Sequence, residues 1–206
     1  MSEDYQVKVK ICGITGVDMA LAAVEAGADA LGFVFAPSRR RVQPETARAI
    51  IAQLPPFVAR VGVFVNSPPG EIEQIARHCG LTAVQLSGDE PPGYALDLAL
   101  PIIRSLRVGN GKPVPDLNGF KDDAFLFDTY CDKSYGGTGK TFDWSLLENI
   151  ACPKPVILAG GLNPFNVREA VRTVRPYAVD VSGGVETNGQ KDAQKIKEFI
   201  TLAKGV

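Results

Sequence analysis

Short apolar runs alternate with longer amphipathic segments from one end of the chain to the other. Eight runs are rich in Val, Ile, Leu and Phe: Val7–Cys12, Ala30–Phe35, Val58–Val65, Ala83–Leu86, Ile102–Val108, Ala124–Thr129, Pro155–Ala159 and Ala178–Ser182. Their near-continuous apolarity is what parallel strands covered on both faces require. Helices are expected between them, at Asp18–Ala26, Pro44–Leu54, Glu71–His78, Tyr94–Leu100, Asp143–Ile150, Pro164–Val174 and Asp192–Lys204. Gly27 and Gly80 suit left-handed helix ends, Pro44 suits a first turn, and Asp143 and Asn163 suit N-caps. The stretch Gly109–Gly119 mixes Gly, Pro and Asn, so the fifth helix is expected to be truncated or irregular.

Strands alternating with helices read as βα units. An open doubly wound sheet would place a G-x-G-x-x-G fingerprint after its first strand, but that strand ends in Cys12-Gly13-Ile14-Thr15-Gly16. The glycine-rich turns instead follow the sixth, seventh and eighth strands, where β/α barrels often hold phosphate. The expectation is therefore a single (β/α)8 TIM barrel forming one catalytic domain over 1–206, with short loops, since 206 residues is near the lower limit for that fold.

Composition narrows the function classes. With 22 Lys plus Arg against 23 Asp plus Glu, there is no basic excess to drive binding to nucleic acid or an anionic membrane. No apolar run is long enough to cross a membrane, and the acidic start Met1-Ser2-Glu3-Asp4 does not read as a secretion signal. Cys12, Cys79, Cys131 and Cys152 form no C-x-x-C pair, so free thiols in a reducing cytoplasm are expected. His78 is the sole histidine, which disfavours most His-dependent triads and metal schemes. A monomer is the simplest expectation.

Three glycine-dense loops, Tyr135–Thr141, Gly160-Gly161 and Gly183-Gly184, fall at the same end of the expected barrel. Glycine lets backbone N–H groups approach an anion closely. One such loop is most simply a tight turn; three together predict a phosphate-bearing ligand. Gly139-Lys140-Thr141 imitates a nucleotide P-loop, but Ser134 stands where that motif needs its first glycine.

Cys12 and Asp128 end the first and sixth strands, at the barrel end where catalytic groups sit. A buried small hydrophobe and a turn carboxylate are the plain alternatives. Lys10, two residues before Cys12, shares its strand face, and its ammonium is expected to favour a thiolate. A thiolate and a carboxylic acid facing one another suit proton transfer at a sugar carbon, with no metal and no redox cofactor. Arg39-Arg40-Arg41, after the second strand, are either a solvated charge run or a carboxylate clamp.

At these residues the chain resembles the phosphoribosylanthranilate isomerase family of tryptophan biosynthesis. The resemblance spans nearly the full length and is carried by Val9-Lys10-Ile11-Cys12-Gly13-Ile14-Thr15, Gly27–Phe35, Val61–Asn66, Phe127-Asp128-Thr129, Tyr135–Trp144, Gly160–Pro164 and Val179–Ser182. It implies an Amadori rearrangement of N-(5′-phosphoribosyl)anthranilate to the aminodeoxyribulose phosphate, without a cofactor. Asp128 is implied as general acid, Cys12 as general base and Arg40 as the carboxylate-binding residue. Lys10 is expected beside the substrate, and Gly137, Thr138, Gly139, Gly160, Gly161, Ser182, Gly183 and Gly184 around its phosphate. The chain departs from the family pattern at Ser87, where histidine is usual, at Gly183, where a second serine is usual, and at Arg39 and Arg41, where Pro and Tyr often flank the arginine. A related histidine-pathway isomerase would carry aspartate in place of Cys12. An aldolase using Lys10 would leave Asp128 and the arginines without a role. A non-catalytic phosphate sensor would not need the acid/base pair.

Overall fold

The computed structural model describes residues 6–94, 98–109, 116–117, 119–129, 141–147, 150 and 152–206. Eight parallel strands close on themselves in chain order: β1 Lys8–Cys12, β2 Ala30–Val34, β3 Ala59–Phe64, β4 Ala83–Leu86, β5 Ile102–Val108, β6 Ala124–Thr129, β7 Val156–Leu158 and β8 Ala178–Val181. Every expected strand is present, and β4, β5 and β6 have the expected bounds. The seam is the β1–β8 pairing, in which Lys10 lies opposite Asp180.

Among the described residues five α-helices cover the outside: α1 Val17–Glu25, α2 Pro44–Ile51, α3 Pro69–Cys79, α4 Val167–Val174 and α5 Ala193–Lys204. α3 stops at Gly80 in the left-handed conformation, and Gly27, one residue past the α1 cap, is also left-handed. The helix expected over Asp143–Ile150 is a 3-10 turn at Trp144–Leu147. Most of Gly109–Gly119, read as an irregular connection between β5 and β6, lies outside the described residues. Asn163 does not cap α4, which begins three residues beyond the expected Pro164. Its side chain bonds Phe165 N and Gly161 O, stitching the loop before the helix instead.

Two apolar cores follow from the two faces of each strand. Val9, Ile11, Leu31, Phe33, Phe125 and Phe127 point outward into one continuous core with the helices. Leu126, Ile157, Ala159 and Ala178 point inward and plug the barrel. Two positions further along the same inward faces come Asp128 from β6 and Asp180 from β8. The lumen therefore changes from apolar to polar toward the C-terminal ends of the strands.

After β8, a 3-10 turn Gly183–Val185 leads into a hairpin of β9 Glu186–Thr187 and β10 Gln190–Lys191. Asn188 and Gly189 both have positive φ, the geometry a two-residue type I′ turn demands. Asp192 then caps α5, accepting bonds from Gln194 N at 3.0 Å and Lys195 N at 3.2 Å. Asp192→Ala is expected to lower the urea midpoint of unfolding, because the first turn of α5 loses its cap. No loss would show that α5 needs no cap.

Candidate active site

The polar layer of the lumen is organised around Lys10. Its ammonium donates to Asp180 Oδ1 at 2.9 Å and Gln85 Oε1 at 3.0 Å, in a setting that leaves Lys10 only 4% exposed. Gln85 in turn donates to Ser87 Oγ at 3.0 Å. A chain of bonds thus runs from β8 through β1 to the end of β4. Burial works against the charge on Lys10, but Asp180 and the neighbouring Cys12 outweigh it and hold the ammonium above its ordinary pKa.

Cys12 lies on the same face, one layer nearer the mouth. Its side chain rests over Gly32 of β2, where a Cβ would fall 2.7 Å from the sulfur, so only glycine leaves room for it. Lys10 favours the thiolate of Cys12, as expected, but does not make it the resting form. Burial pushes the thiol up, Asp180 adds to this, and the opposing pull of Lys10 and Lys191 does not overcome it.

Asp128 ends β6 and accepts Thr129 N at 2.7 Å. Burial, with Asp180 adding to it, pushes its carboxyl up to about 6 against the Thr129 bond, Lys10 and Arg107, which lower it. Cys12 and Asp128 therefore feel the same two charges, Lys10 and Asp180. Gly160, left-handed at φ +85°, sits against Asp128, and a Cβ there would meet Thr129 Oγ1 at 2.3 Å and Asp128 Oδ1 at 3.1 Å.

The glycine loops divide. Gly160 and Gly161 both have positive φ, and their N–H groups make no hydrogen bond among the described residues. Gly161 O is tied by Asn163 at 3.2 Å and Asn166 at 3.1 Å. Gly184 packs so tightly that a Cβ would fall 1.8 Å from Leu162 O, which joins the loops after β7 and β8. Ser182 Oγ donates to Cys12 O at 3.0 Å, so its hydroxyl proton is engaged in the seam. Gly137, Thr138 and Gly139 lie outside the described residues.

Of the three arginines, Arg41 is exposed and away from the cluster, while Arg40 is the half-buried one. Arg40 donates to Glu186 through Nε at 2.6 Å and Nη2 at 3.1 Å, and Arg39 reaches the same carboxylate at 2.6 Å. Lys191, opposite Glu186 in the hairpin, adds a bond of 2.9 Å. These groups border a cleft of about 790 Å³ that also includes Gly13 and the start of α1. Sequence reasoning missed Glu186, Lys191, Asp180 and Gln85. Two signals were present: Asn188-Gly189 marks a hairpin that sets Glu186 against Lys191, and Asp180 interrupts an otherwise apolar strand.

On the far side of the mouth, Glu90 accepts Asn66 N at 2.7 Å and Gly88 N at 2.9 Å. Buried Arg104 donates to Glu90 O at 2.9 Å and to Asp122 Oδ1 at 3.1 Å. That network fixes the loops after β3 and β4, and so the place of Ser87.

A family model for N-(5′-phosphoribosyl)anthranilate (PRA) isomerase matches residues 9–202. The chain belongs to that family, an isomerase family of tryptophan biosynthesis. It is 54% identical over 199 residues to the N-(5′-phosphoribosyl)anthranilate isomerase of Desulforudis audaxviator, covering 95% of this chain and 97% of that protein. Identity to the Geobacter sulfurreducens isomerase is 53% over 201 residues, covering 97% and 99%. Among solved structures, phosphoribosyl anthranilate isomerase from Thermotoga maritima superposes with a TM-score of 0.83 at 44% identity, covering 97% of this chain and all of that one. A phosphoribosyl anthranilate isomerase solved with reduced 1-(o-carboxyphenylamino)-1-deoxyribulose 5-phosphate gives 0.80 at 44% identity, with the same 97% coverage of this chain and 100% of that one.

PRA isomerase family membership makes the loop packing a functional constraint. Gly184→Ala is expected to cost at least about 3 kcal/mol in urea titration, because backbone on both sides must shift. Gly70→Ala, in α3 with nothing near the added methyl, is expected to be neutral or slightly stabilising. Equal effects would show that the two loops are not in contact.

Proposed function

We propose that this chain, acting as one catalytic domain over 1–206, converts N-(5′-phosphoribosyl)anthranilate to 1-(2-carboxyphenylamino)-1-deoxyribulose 5-phosphate, with Asp128 as general acid and Cys12 as general base. The observation that carries the assignment is the shared electrostatic setting of the two groups at one polar mouth. Asp128, raised to about 6, keeps a usable proton near neutral pH. It protonates the ribose ring oxygen, the C1′–O bond breaks, and the nitrogen lone pair forms an iminium. The Cys12 thiolate then removes the C2′ proton, and the C–H electrons neutralise the iminium to give an enolamine. Tautomerisation to the ketone moves the 2′-hydroxyl proton to C1′. The net result is isomerisation, so no electrons are gained or lost and no step requires a metal or redox cofactor.

Lys10 lowers the energy of the thiolate when it forms, while Asp180 and Gln85 keep the ammonium in place. The N–H groups of Gly160 and Gly161, which make no hydrogen bond among the described residues, with the backbone at Ser182, Gly183 and Gly184, are suited to the phosphate; Gly137, Thr138 and Gly139 are assigned there on family resemblance. Arg40 is assigned the anthranilate carboxylate. The related structure holding a reduced carboxyphenylamino deoxyribulose phosphate supports a ligand of this class.

Loss of anthranilate-type fluorescence on conversion gives a direct assay. Cys12→Ala and Asp128→Asn are each expected to lower kcat by at least about 100-fold. Asp128→Asn should hold or raise Tm at pH 8, because the amide removes a carboxylate whose charge the fold disfavours. Wild-type kcat in either variant would refute its role, and no turnover by the unmodified protein would refute the isomerase reading.

The pH dependence follows from the same shifts. Below about pH 6 both groups are protonated, and the thiolate share falls as pH drops. Between that value and the raised thiol pKa the two groups share one proton, and the productive form, Asp128 protonated with Cys12 ionised, is a constant minority. Above the thiol pKa no proton remains for the ring oxygen. A bell-shaped kcat/KM profile with its acidic limb near 6 is expected. Activity that climbs steadily as pH falls below 6 would contradict the assignment.

A further inference from the structure

Glu186 does nothing in the reaction just described, yet it is the most heavily engaged carboxylate at the mouth. Its side chain is 5% exposed and collects Arg40, Lys191 and the 57% exposed Arg39. Its backbone carbonyl accepts Lys195 Nζ at 2.9 Å, so both ends of the residue are fixed. Burial opposes its charge, but the bonds from Arg40 and Lys191 pull its pKa down to about 2, and it stays ionised across the working pH range.

A guanidinium has two forked edges, each able to take one carboxylate. Glu186 occupies the Nε/Nη2 edge of Arg40, and among the described residues no bond uses Nη1. The arginine stem lies across Gly13, where a Cβ would come within 2.6 Å of Arg40 Cδ. Nη2 lies beside Gly183, where a Cβ would come within 3.1 Å. Arg40 is thus held by Glu186 on one edge and by two bare backbone positions along its length. Its Nη1/Nη2 edge is left for a second carboxylate. Arg39, Arg40 and Lys191 against Glu186 also leave two positive charges in this cluster for an anionic ligand to offset.

We propose that Glu186 is a positioning residue for substrate recognition: it acts through Arg40, presenting the free guanidinium edge to the carboxylate of the anthranilate ring. The inference rests on the Arg40 reading above. An unheld arginine would have to lose side-chain freedom when substrate binds; an arginine already pinned in the free protein has lost it beforehand. The effect of Glu186 is therefore on binding, shared by ground and transition states, and falls on KM.

Steady-state kinetics with two substrates test this: the anthranilate compound and its phosphoribosyl-aniline counterpart, which lacks only the carboxylate. Glu186→Gln should raise KM for the anthranilate substrate about 3- to 10-fold, with kcat within about twofold. Arg40→Ala should raise KM at least as far, and the double variant should be no worse than Arg40→Ala alone. On the aniline substrate, Glu186→Gln should match wild type. If Glu186→Gln does not fold, Glu186→Asp, which keeps the charge but shortens the reach, should show a smaller KM rise of the same selectivity. A KM rise that is equal on both substrates would overturn the positioning role in favour of general support of the mouth. A lowered KM would overturn it in favour of Glu186 competing with substrate. A raised KM in Arg40→Ala with an unchanged one in the Glu186 variants would refute only this inference. An unchanged KM in Arg40→Ala would refute the carboxylate-site reading itself.

Discussion

The ion pair between Lys10 and Asp180 is the interaction on which the rest of the molecule depends. It lies across the β1–β8 seam, where the last strand meets the first, with the two residues in register and 2.9 Å apart. A buried pair gains little net stability over apolar packing, because both charges lose their water. Losing one partner is another matter, since it strands the other charge inside the barrel. The pair therefore acts as a condition on the fold: the seam closes in the register that satisfies it. The same two charges set the environment of Cys12 and of Asp128. Closure of the barrel and preparation of the mouth are one electrostatic event.

The mouth itself is the consequence of strand periodicity meeting small residues at chosen points. Along β6, Leu126 plugs the lumen and Asp128 opens it. Along β8, Ala178 does the first and Asp180 the second. A polar layer can sit on an apolar one only because successive inward side chains are two residues apart. Glycines then supply the space those polar groups occupy. Gly32 leaves room for the Cys12 sulfur, Gly160 for the Asp128 carboxylate and Gly13 for the stem of Arg40. Each vacancy belongs to a neighbouring strand or loop, so the site is shaped by the backbone beside its polar groups as well as by those groups.

How much of this was legible in the sequence follows the same physics. All eight strands could be read from their apolar residues, most of them as near-continuous runs, and β5 as an alternation of buried Ile102, Arg104, Leu106 and Val108 with half-buried neighbours. The helices beside β1 to β3 and at the chain end could be read from their Pro, Gly and Asp punctuation. The connection after β5 could be read only as irregular, and the helix expected at Asp143–Ile150 after β6 is a 3-10 turn at Trp144–Leu147. Asn163 was misread because an Asn before Pro looks like a cap, yet its side chain bonds within its own loop. The thiolate of Cys12 is not its resting form for a different reason. Sequence spacing places Lys10 beside it, but does not show the burial that raises the thiol, nor Asp180, which adds to that rise from the other side of the seam. Pairwise proximity along a strand is visible in a sequence; competition from the other side of a closed barrel is not.

The distribution of charge explains how a chain of net charge −1 presents an attractive face to an anionic substrate. At the outer rim Arg39, Arg40 and Lys191 meet one carboxylate, Glu186, and carry a local surplus. Deeper in, Lys10 is balanced by Asp180, and Asp128 adds a carboxyl whose pKa is raised to about 6. The positive surplus is therefore confined to the rim, and the inner layer of Lys10, Asp180 and Asp128 carries none. That division has a chemical reason. Strong positive charge beside Cys12 would make it a stable thiolate but a feeble base, since basicity falls as pKa falls. Keeping Lys10 paired preserves the basicity of the sulfur, at the cost of a small ionised fraction. The chain thus carries its positive surplus at the rim and keeps the cation beside Cys12 paired.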